Sequence, residues 1–231
     1  MSALGGLVVW AIAYLTGLLA VRYLVLSADT LSSAPVLSRT NHRGHRVPAS
    51  GGILVVFAVL IVEAGRSMLE ALGLGAEPGE NVARTLVLFA CFAFGLLGFV
   101  DDVLGDAGDR GYRGHVRALA QGRVTTGILK LLGGAAAALI LVAVPDFVSG
   151  KRLIAGAVLI ALAANLGNLL DRAPGRTIKG ALVAYAPLAL LAGPSPVGVA
   201  VAPVMGASTG VLLDDLRERV MLGDAGANVI G

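Results

Sequence analysis

The sequence predicts an all-α membrane protein: a polytopic bundle of seven transmembrane helices plus the start of an eighth, with the N-terminus outside. Three observations carry that expectation. Hydrophobic residues make up 56% of the 231-residue chain and charged residues only 14%, against roughly 25% charge in a soluble globular chain. The apolar residues fall in continuous runs approaching the ~20 residues a helix needs to cross the hydrocarbon core, without the period-two alternation of barrel strands. Lysines and arginines concentrate in alternate loops, as they do when loops alternate across a membrane. The same composition excludes a disordered chain and, with Cys91 as the single cysteine, a secreted disulfide scaffold. Cys91 lies in an apolar run and reads as a small buried hydrophobe. The 18 Lys+Arg against 15 Asp+Glu give a net charge of +3, which reports topology and not a nucleic-acid partner.

The spans follow in order. Leu4–Val25 is long for a cleaved signal and has no Lys or Arg before it, so it reads as a retained first span. Gly51–Gly65, Thr85–Val100, Ile128–Val144, Leu153–Leu170, Ile178–Ala192 and Val197–Leu213 are the next six, and Ala225–Gly231 reads as the opening turn of an eighth. With the loops after spans one, three, five and seven in the cytoplasm, the inner side holds Arg39, Arg43, Arg46, Arg110, Arg113, Arg117, Arg123, Lys130, Arg172, Arg176, Lys179, Arg217 and Arg219. The outer loops hold only Arg66, Arg84, Lys151 and Arg152, and Arg22 lies inside span one. Thirteen against four sets the orientation. The chain reads as one membrane-embedded domain, 1–231, whose long inner loops, Ser27–Ser50 and Asp101–Gly127, are where chemistry is housed.

Certain polar residues need more than topology to explain them. Asp101 and Asp102 end span three in the string GFVDDVLG. Adjacent carboxylates at a bilayer border repel and lose hydration unless a proton or cation compensates, and a hard divalent ion with oxygen ligands, Mg²⁺ above all, is the natural compensation. A solvated helix end explains an isolated pair equally well, so other positions decide. In NLGNLLDRAPGR, Asn165, Asn168 and Asp171 are three apart, which puts them within an arc of roughly 120° on one helix face. That face meets protein, water or ligand and not lipid, with interhelical hydrogen bonding as the plainer alternative. Arg172, Arg176 and Lys179 surround Gly175 just beyond, a cluster suited to phosphate or to the inner-side charge bias alone.

In MLGDAGAN, Asp224 stands between Gly223 and Gly226 at a helix start. Glycines there let a ligand approach the backbone, and the free N–H groups favour an anion; as a bare N-cap Asp224 would also be satisfied. Asp214 and Asp215, beside Arg217, Glu218 and Arg219, read as a solvated charged loop. Two basic, glycine-rich segments, Arg39–Ile53 and Tyr112–Lys130, lead from inner loops into spans, the first shaped by Pro48, Gly51 and Gly52. His42, His45 and His115 lack the cysteines or carboxylate spacing of a zinc site and read as solvated loop residues. Carboxylates to hold Mg²⁺ and Arg/Lys to hold phosphate are the parts of phosphoryl transfer; no P-loop, nucleophile elbow or dinucleotide fingerprint competes. The membrane setting makes one substrate a lipid.

The order VPASGG, GFVDD, NLGNLLD, MLGDAGAN, running from about Arg39 to Gly231, resembles the polyprenyl-phosphate sugar-1-phosphate transferases, the family of phospho-N-acetylmuramoyl-pentapeptide transferase and the undecaprenyl-phosphate N-acetylglucosamine-1-phosphate transferases. The resemblance implies a Mg²⁺-dependent enzyme of a bacterial-type plasma membrane. It would transfer a sugar 1-phosphate from a UDP-sugar to a polyprenyl phosphate in cell-envelope glycan synthesis and release UMP. By motif position, Asp101, Asp102, Asp171 and Lys130 fall on catalytic positions, and Asp224 and Asp171 on the metal. Asn165, Asn168 and Gly223 fall on substrate-binding positions, and Arg43, Arg46, Arg172 and Arg176 would offset the charge of two phosphate-bearing substrates.

The chain departs from the family pattern in two places. Where the family continues D-G-x-D-G, this chain reads DRAPG, so Arg172 replaces a glycine and Pro174 an aspartate of the uridine pocket. The chain also stops before the family's C-terminal spans and histidine-rich loop. An enzyme is the first expectation. The alternative is a catalytically reduced relative that binds lipid phosphate or serves as a scaffold. An ion-coupled transporter ranks below both, because its ionisable groups would sit near the midplane.

Overall fold

The computed structural model describes residues 3–41, 43–74, 80–105, 117–118, 120–143 and 149–231. Helix α1 (Ala3–Ser27) is followed by the short α2 (Asp29–Ser33), a 3-10 turn (Pro35–Leu37) and an antiparallel hairpin of β1 (Ser38–Thr40) and β2 (Arg46–Pro48). Then come α3 (Gly51–Ala71), α4 (Glu80–Leu104), α5 (Thr126–Ala143), α6 (Gly150–Leu170), α7 (Arg176–Ala192), α8 (Pro196–Leu216) and α9 (Gly223–Ile230). The chain is a helical bundle in which α1, α3, α4, α5, α6 and α8 are each long and apolar enough to cross a membrane. The expected sixth span corresponds to α7, 17 residues with Pro187 inside it, the expected seventh to α8, and the expected eighth to the 8 residues of α9. His42, Arg110, Tyr112, Arg113 and His115 lie outside the described residues.

Two helices run further than their apolar stretches, and pairing explains why. Helix α3 continues to Ala71 and α4 begins at Glu80, so Arg66 and Arg84, expected in outer loops, stand on helices. Arg84 Nε donates to Glu63 at 2.5 Å, its other nitrogens reach Glu70 and the Ser67 hydroxyl, and Arg66 bonds Glu63 at 2.9 Å and Glu80 at 3.2 Å. Glu63, Glu80 and Arg84 are buried. Charges tied to one another in this way extend a helix past the point where hydropathy alone would stop it.

Helix α8 is the centre of the bundle: 61% of its apolar window is buried, against 17–39% in the other five. Without a hydrophobic driving force between helices in lipid, close backbone approach has to supply the association. Accordingly, a Cβ on Gly206 would strike the Tyr14 carbonyl, and one on Gly17 would strike Pro203. Val21, Leu54, Val55, Val59, Val204 and Val211 form the core around this contact. Trp10 donates to the Tyr185 hydroxyl at 2.8 Å, and Tyr14 and Thr209 share a 2.6 Å hydrogen bond.

The short α9 is seated by glycines of three other helices. A Cβ on Gly52 (α3) would collide with the Gly226 backbone, one on Gly98 (α4) with the Asp224 carbonyl, and one on Gly167 (α6) with the Ala227 carbonyl. The first N–H groups of α3 are taken by the chain entering α9: Gly51 donates to the Met221 carbonyl at 3.0 Å and Gly52 to Leu222 at 2.8 Å, while Met221 donates to Pro48 at 2.8 Å. One end of the bundle, the hairpin end, thereby gathers the starts of α3, α5, α7 and α9 and the ends of α4, α6 and α8.

Candidate functional site

Several of the residues singled out in the motifs come together at the hairpin end. Asp101 and Asp102 sit on the last turns of α4, Lys130 near the start of α5, Asn168 on the last turn of α6, Asp171 at its C-cap, and Asp224 on the first turn of α9. Lys130 Nζ lies 2.5 Å from Asp224 Oδ2 and 3.5 Å from Asp101 Oδ2. Asn168 Nδ2 donates to the same Asp224 oxygen at 3.1 Å. Asp101 also interacts with Asp224 directly and with the Thr126 hydroxyl.

Asp102 has a different task. Its Oδ2 accepts the Ala225 N–H at 3.1 Å, so a carboxylate of α4 caps the start of α9. Asp224, expected as a possible N-cap, stands inside the first turn instead, with its carboxylate free to meet Lys130 and Asn168. Gly223 at φ +70° makes the bend into α9, a conformation that costs a glycine little. A side chain there would also meet Asp102 Oδ2. Gly226 is spent on packing against Gly52 and not on a ligand.

Asp171 accepts from the Thr177 hydroxyl at 3.4 Å, while that hydroxyl also reaches the Gly167 carbonyl at 3.1 Å. Burial pushes the Asp171 carboxyl up to about 7, and the charges of Asp215, Asp224 and Asp102 push in the same direction. Burial likewise holds Asp224 above the ordinary carboxylate range, against the pull of Lys130. Both shifts have one origin: desolvated carboxylates outnumber the cations beside them.

Asp214 and Asp215, expected in a solvated loop, are buried, and this overturns that expectation. Asp214 pairs with Arg22, the charge inside α1, which also donates to the Gly210 carbonyl at 3.1 Å. Asp215 accepts the Gly175 N–H at 2.6 Å and the Leu222 N–H. One carboxylate thus ties the turn after Asp171 to the turn before Asp224. Sequence reasoning missed this staple because nothing in the string LLDDLRER distinguishes a buried acid from a solvated one.

The arginines are dispersed. Arg43 pairs with Glu218 at 3.3 Å, and Asn41 Nδ2 donates to the same carboxylate at 2.7 Å. Arg46, Arg172 and Arg176 are exposed. Arg172 lines a cavity of about 310 Å³ with Asn41, Asp171, Pro174, Asp215 and Glu218, whereas the charge that reaches Asp102 is that of Arg39. A second cavity of about 440 Å³ opens between α4, α5, α6 and α9, with Asp101, Lys130, Asn165, Asn168 and Asn228 at its polar end. Asn228 went unremarked in the sequence, although it lies four residues, about one helical turn, beyond Asp224.

As a metal centre the donor set is right in kind: oxygen ligands of a hard cation, in excess over positive charge. It is not closed. Among the described residues no three His, Cys, Asp or Glu side chains lie together as a metal-holding group, because Lys130 bridges Asp101 and Asp224 and Asp102 is turned to α9. His45 is exposed and bonds through its backbone to Asn41. No family model and no curated protein matches the chain.

Proposed function

We propose that the protein is a phosphotransferase of a bacterial-type plasma membrane, with seven spans, the N-terminus outside and the hairpin end in the cytoplasm. Its reaction would move a sugar 1-phosphate from a UDP-sugar to a polyprenyl phosphate. The observation that carries this reading is the convergence of Asp101, Asp102, Lys130, Asn168 and Asp224, from four separate stretches of chain, at the end of the bundle richest in basic loops. Half-buried carboxylates left short of cations suit a substrate that arrives with its own divalent ion.

In the proposed step an oxygen of the acceptor phosphate attacks the sugar-bearing phosphorus of the donor. A new P–O bond forms, the P–O–P bond to UMP breaks, and UMP leaves with the electron pair. The acceptor is already an anion at neutral pH, so the difficulty is repulsion and not proton removal. Mg²⁺, held by Asp224 and Asp171, would neutralise the pyrophosphate and the departing UMP. Lys130 supplies the fixed positive charge at the cavity mouth. Asp102, by holding α9, positions Asp224, while Asp101 stays facing the cavity beside Lys130 and is the member of the pair that meets the acceptor. Arg172 and Asn41 border the cavity where the nucleotide would lie.

A second reading, a lipid-phosphate-binding relative without turnover, is favoured by one observation: Lys130 already spans two of the carboxylates a metal would need. An exchange assay separates the two. Purified protein with Mg²⁺, polyprenyl phosphate and a UDP-sugar should incorporate radiolabelled UMP into the UDP-sugar; a folded protein that performs no exchange overturns the enzymatic reading.

A further inference from the structure

The cavity between α4, α5, α6 and α9 carries a feature that the reaction as proposed does not use. Its walls are apolar, formed by Phe94, Leu97, Leu131 and Leu162 among others, and Leu131 and Leu162 are exposed on the outside of the bundle, where lipid would lie. At its polar end the donors are mostly committed: Lys130 to Asp101 and Asp224, Asn168 to Asp224. Asn165 is exposed, and Asn228 is the buried exception. It is 4% exposed, lines the cavity, and its Nδ2 has no hydrogen-bond partner. Burying an amide donor unmatched costs free energy that a leucine or alanine would not, so a side chain kept in this state points to a partner that comes and goes.

The partner has to match three surfaces together: an amide donor, a neighbouring ammonium group and a greasy trough open to the bilayer. An oxygen-rich anionic head on a hydrocarbon tail does so. We propose that Asn228 is a specificity-determining residue of the acceptor seat, donating to an oxygen of a phosphate monoester whose alkyl chain lies along Phe94, Leu97, Leu131 and Leu162. The inference rests on the phosphotransferase reading and adds to it the residue that selects the acceptor. Asn228 does no chemistry; it orients the head against Lys130.

The test uses the full chain in detergent with Mg²⁺ and four probes: farnesyl phosphate, farnesol, inorganic phosphate and UMP. Asn228→Leu should weaken farnesyl phosphate by about tenfold, the loss of one hydrogen bond to a charged group, and leave UMP affinity unchanged. In turnover it should raise KM for the lipid with kcat retained. The same variant should keep or raise the melting temperature, because it removes an unmatched buried amide; binding down with stability up is a split no purely structural role produces. Asn228→Ser, which keeps a donor, should recover part of the affinity.

Farnesyl phosphate bound equally by wild type and a folded Asn228→Leu overturns the assignment and leaves the phosphotransferase reading intact. So does a sharp loss of melting temperature in that variant, which would make the residue structural. Inorganic phosphate bound as tightly as farnesyl phosphate, or farnesol bound as tightly as its phosphate, overturns the lipid-phosphate seat. A wild-type protein that binds no farnesyl phosphate at all sinks both the seat and the proposed reaction.

Discussion

The two ends of the bundle handle charge withdrawn from solvent in opposite ways. At one end, Glu63, Glu70 and Glu80 face Arg66 and Arg84, and each guanidinium reaches more than one carboxylate. At the hairpin end, Asp101 and Asp224 share one lysine, and the shortfall is met by neutral donors: Asn168 at Asp224, Thr177 at Asp171 and the Ala225 N–H at Asp102. A guanidinium fork is planar, permanently charged and able to satisfy several oxygens together, which suits a closed structural joint. A lysine and some amides leave carboxylate oxygens under-matched, which suits a site that must admit further charge. The first network holds α3 to α4; the second opens onto two cavities.

The largest effect that would break this contrast is on activity. Asp224→Asn should lower Mg²⁺-dependent UMP exchange by more than about a hundredfold, the scale of losing a transition-state charge contact, with the melting temperature close to wild type. Retained exchange would place the hairpin-end carboxylates in the same structural class as the opposite network. Conversely, Arg84→Met leaves the buried Glu63 with Arg66 alone and Glu70 without its partner, and should cost up to about 3–5 kcal/mol of stability. It should leave exchange per folded molecule unchanged. An Arg84 variant that folds normally but loses exchange would show that the two ends are coupled.

The hairpin-end shortfall also predicts a pH dependence. The Asp171 carboxyl lies at about 7 in the folded chain, above its ordinary 3.8, so the folded state binds a proton that the unfolded chain has released over that interval. Stability from this group is full below about pH 4 and is lost as pH rises towards 7. Denaturation in detergent without divalent ions should show that decline, and Mg²⁺ should flatten it by compensating the ionised form. A profile identical with and without Mg²⁺ would remove Asp171 from the proposed metal site.

Much of this arrangement is readable in the chain itself. Continuous apolar runs mark the helices, since the bilayer leaves the backbone few other solutions, and the placement of Asp101, Asn168 and Asp224 at span ends puts them on one side. Partners distant in sequence are what a single string withholds. Arg22 inside a span and Asp214 at a loop both look anomalous alone, and each is explained by the other. Gly223 and Gly226 read as ligand-approach sites, but Gly226, with Gly52, Gly98 and Gly167, is where α9 meets its neighbours. They belong to the site because they put Asp224 there.

The smallest expected effect is the sharpest test of how the hairpin end is held. Asp215 joins the Gly175 and Leu222 N–H groups, and its charge is among those that raise the Asp171 carboxyl. Asp215→Asn keeps one oxygen to accept from the backbone, replaces the other with an NH₂ group and removes the charge. The charge-assisted bonds become ordinary ones, a loss of about 1 kcal/mol. The Asp171 titration should move down, so the stability decline without Mg²⁺ should still begin at about pH 4 but end at a lower pH. If Asp215 acts as a staple alone, stability falls and the profile keeps its position. If its charge belongs to the same electrostatic unit as Asp171 and Asp224, the midpoint moves, and the excess of negative charge at this end extends to the residues that hold its two turns together.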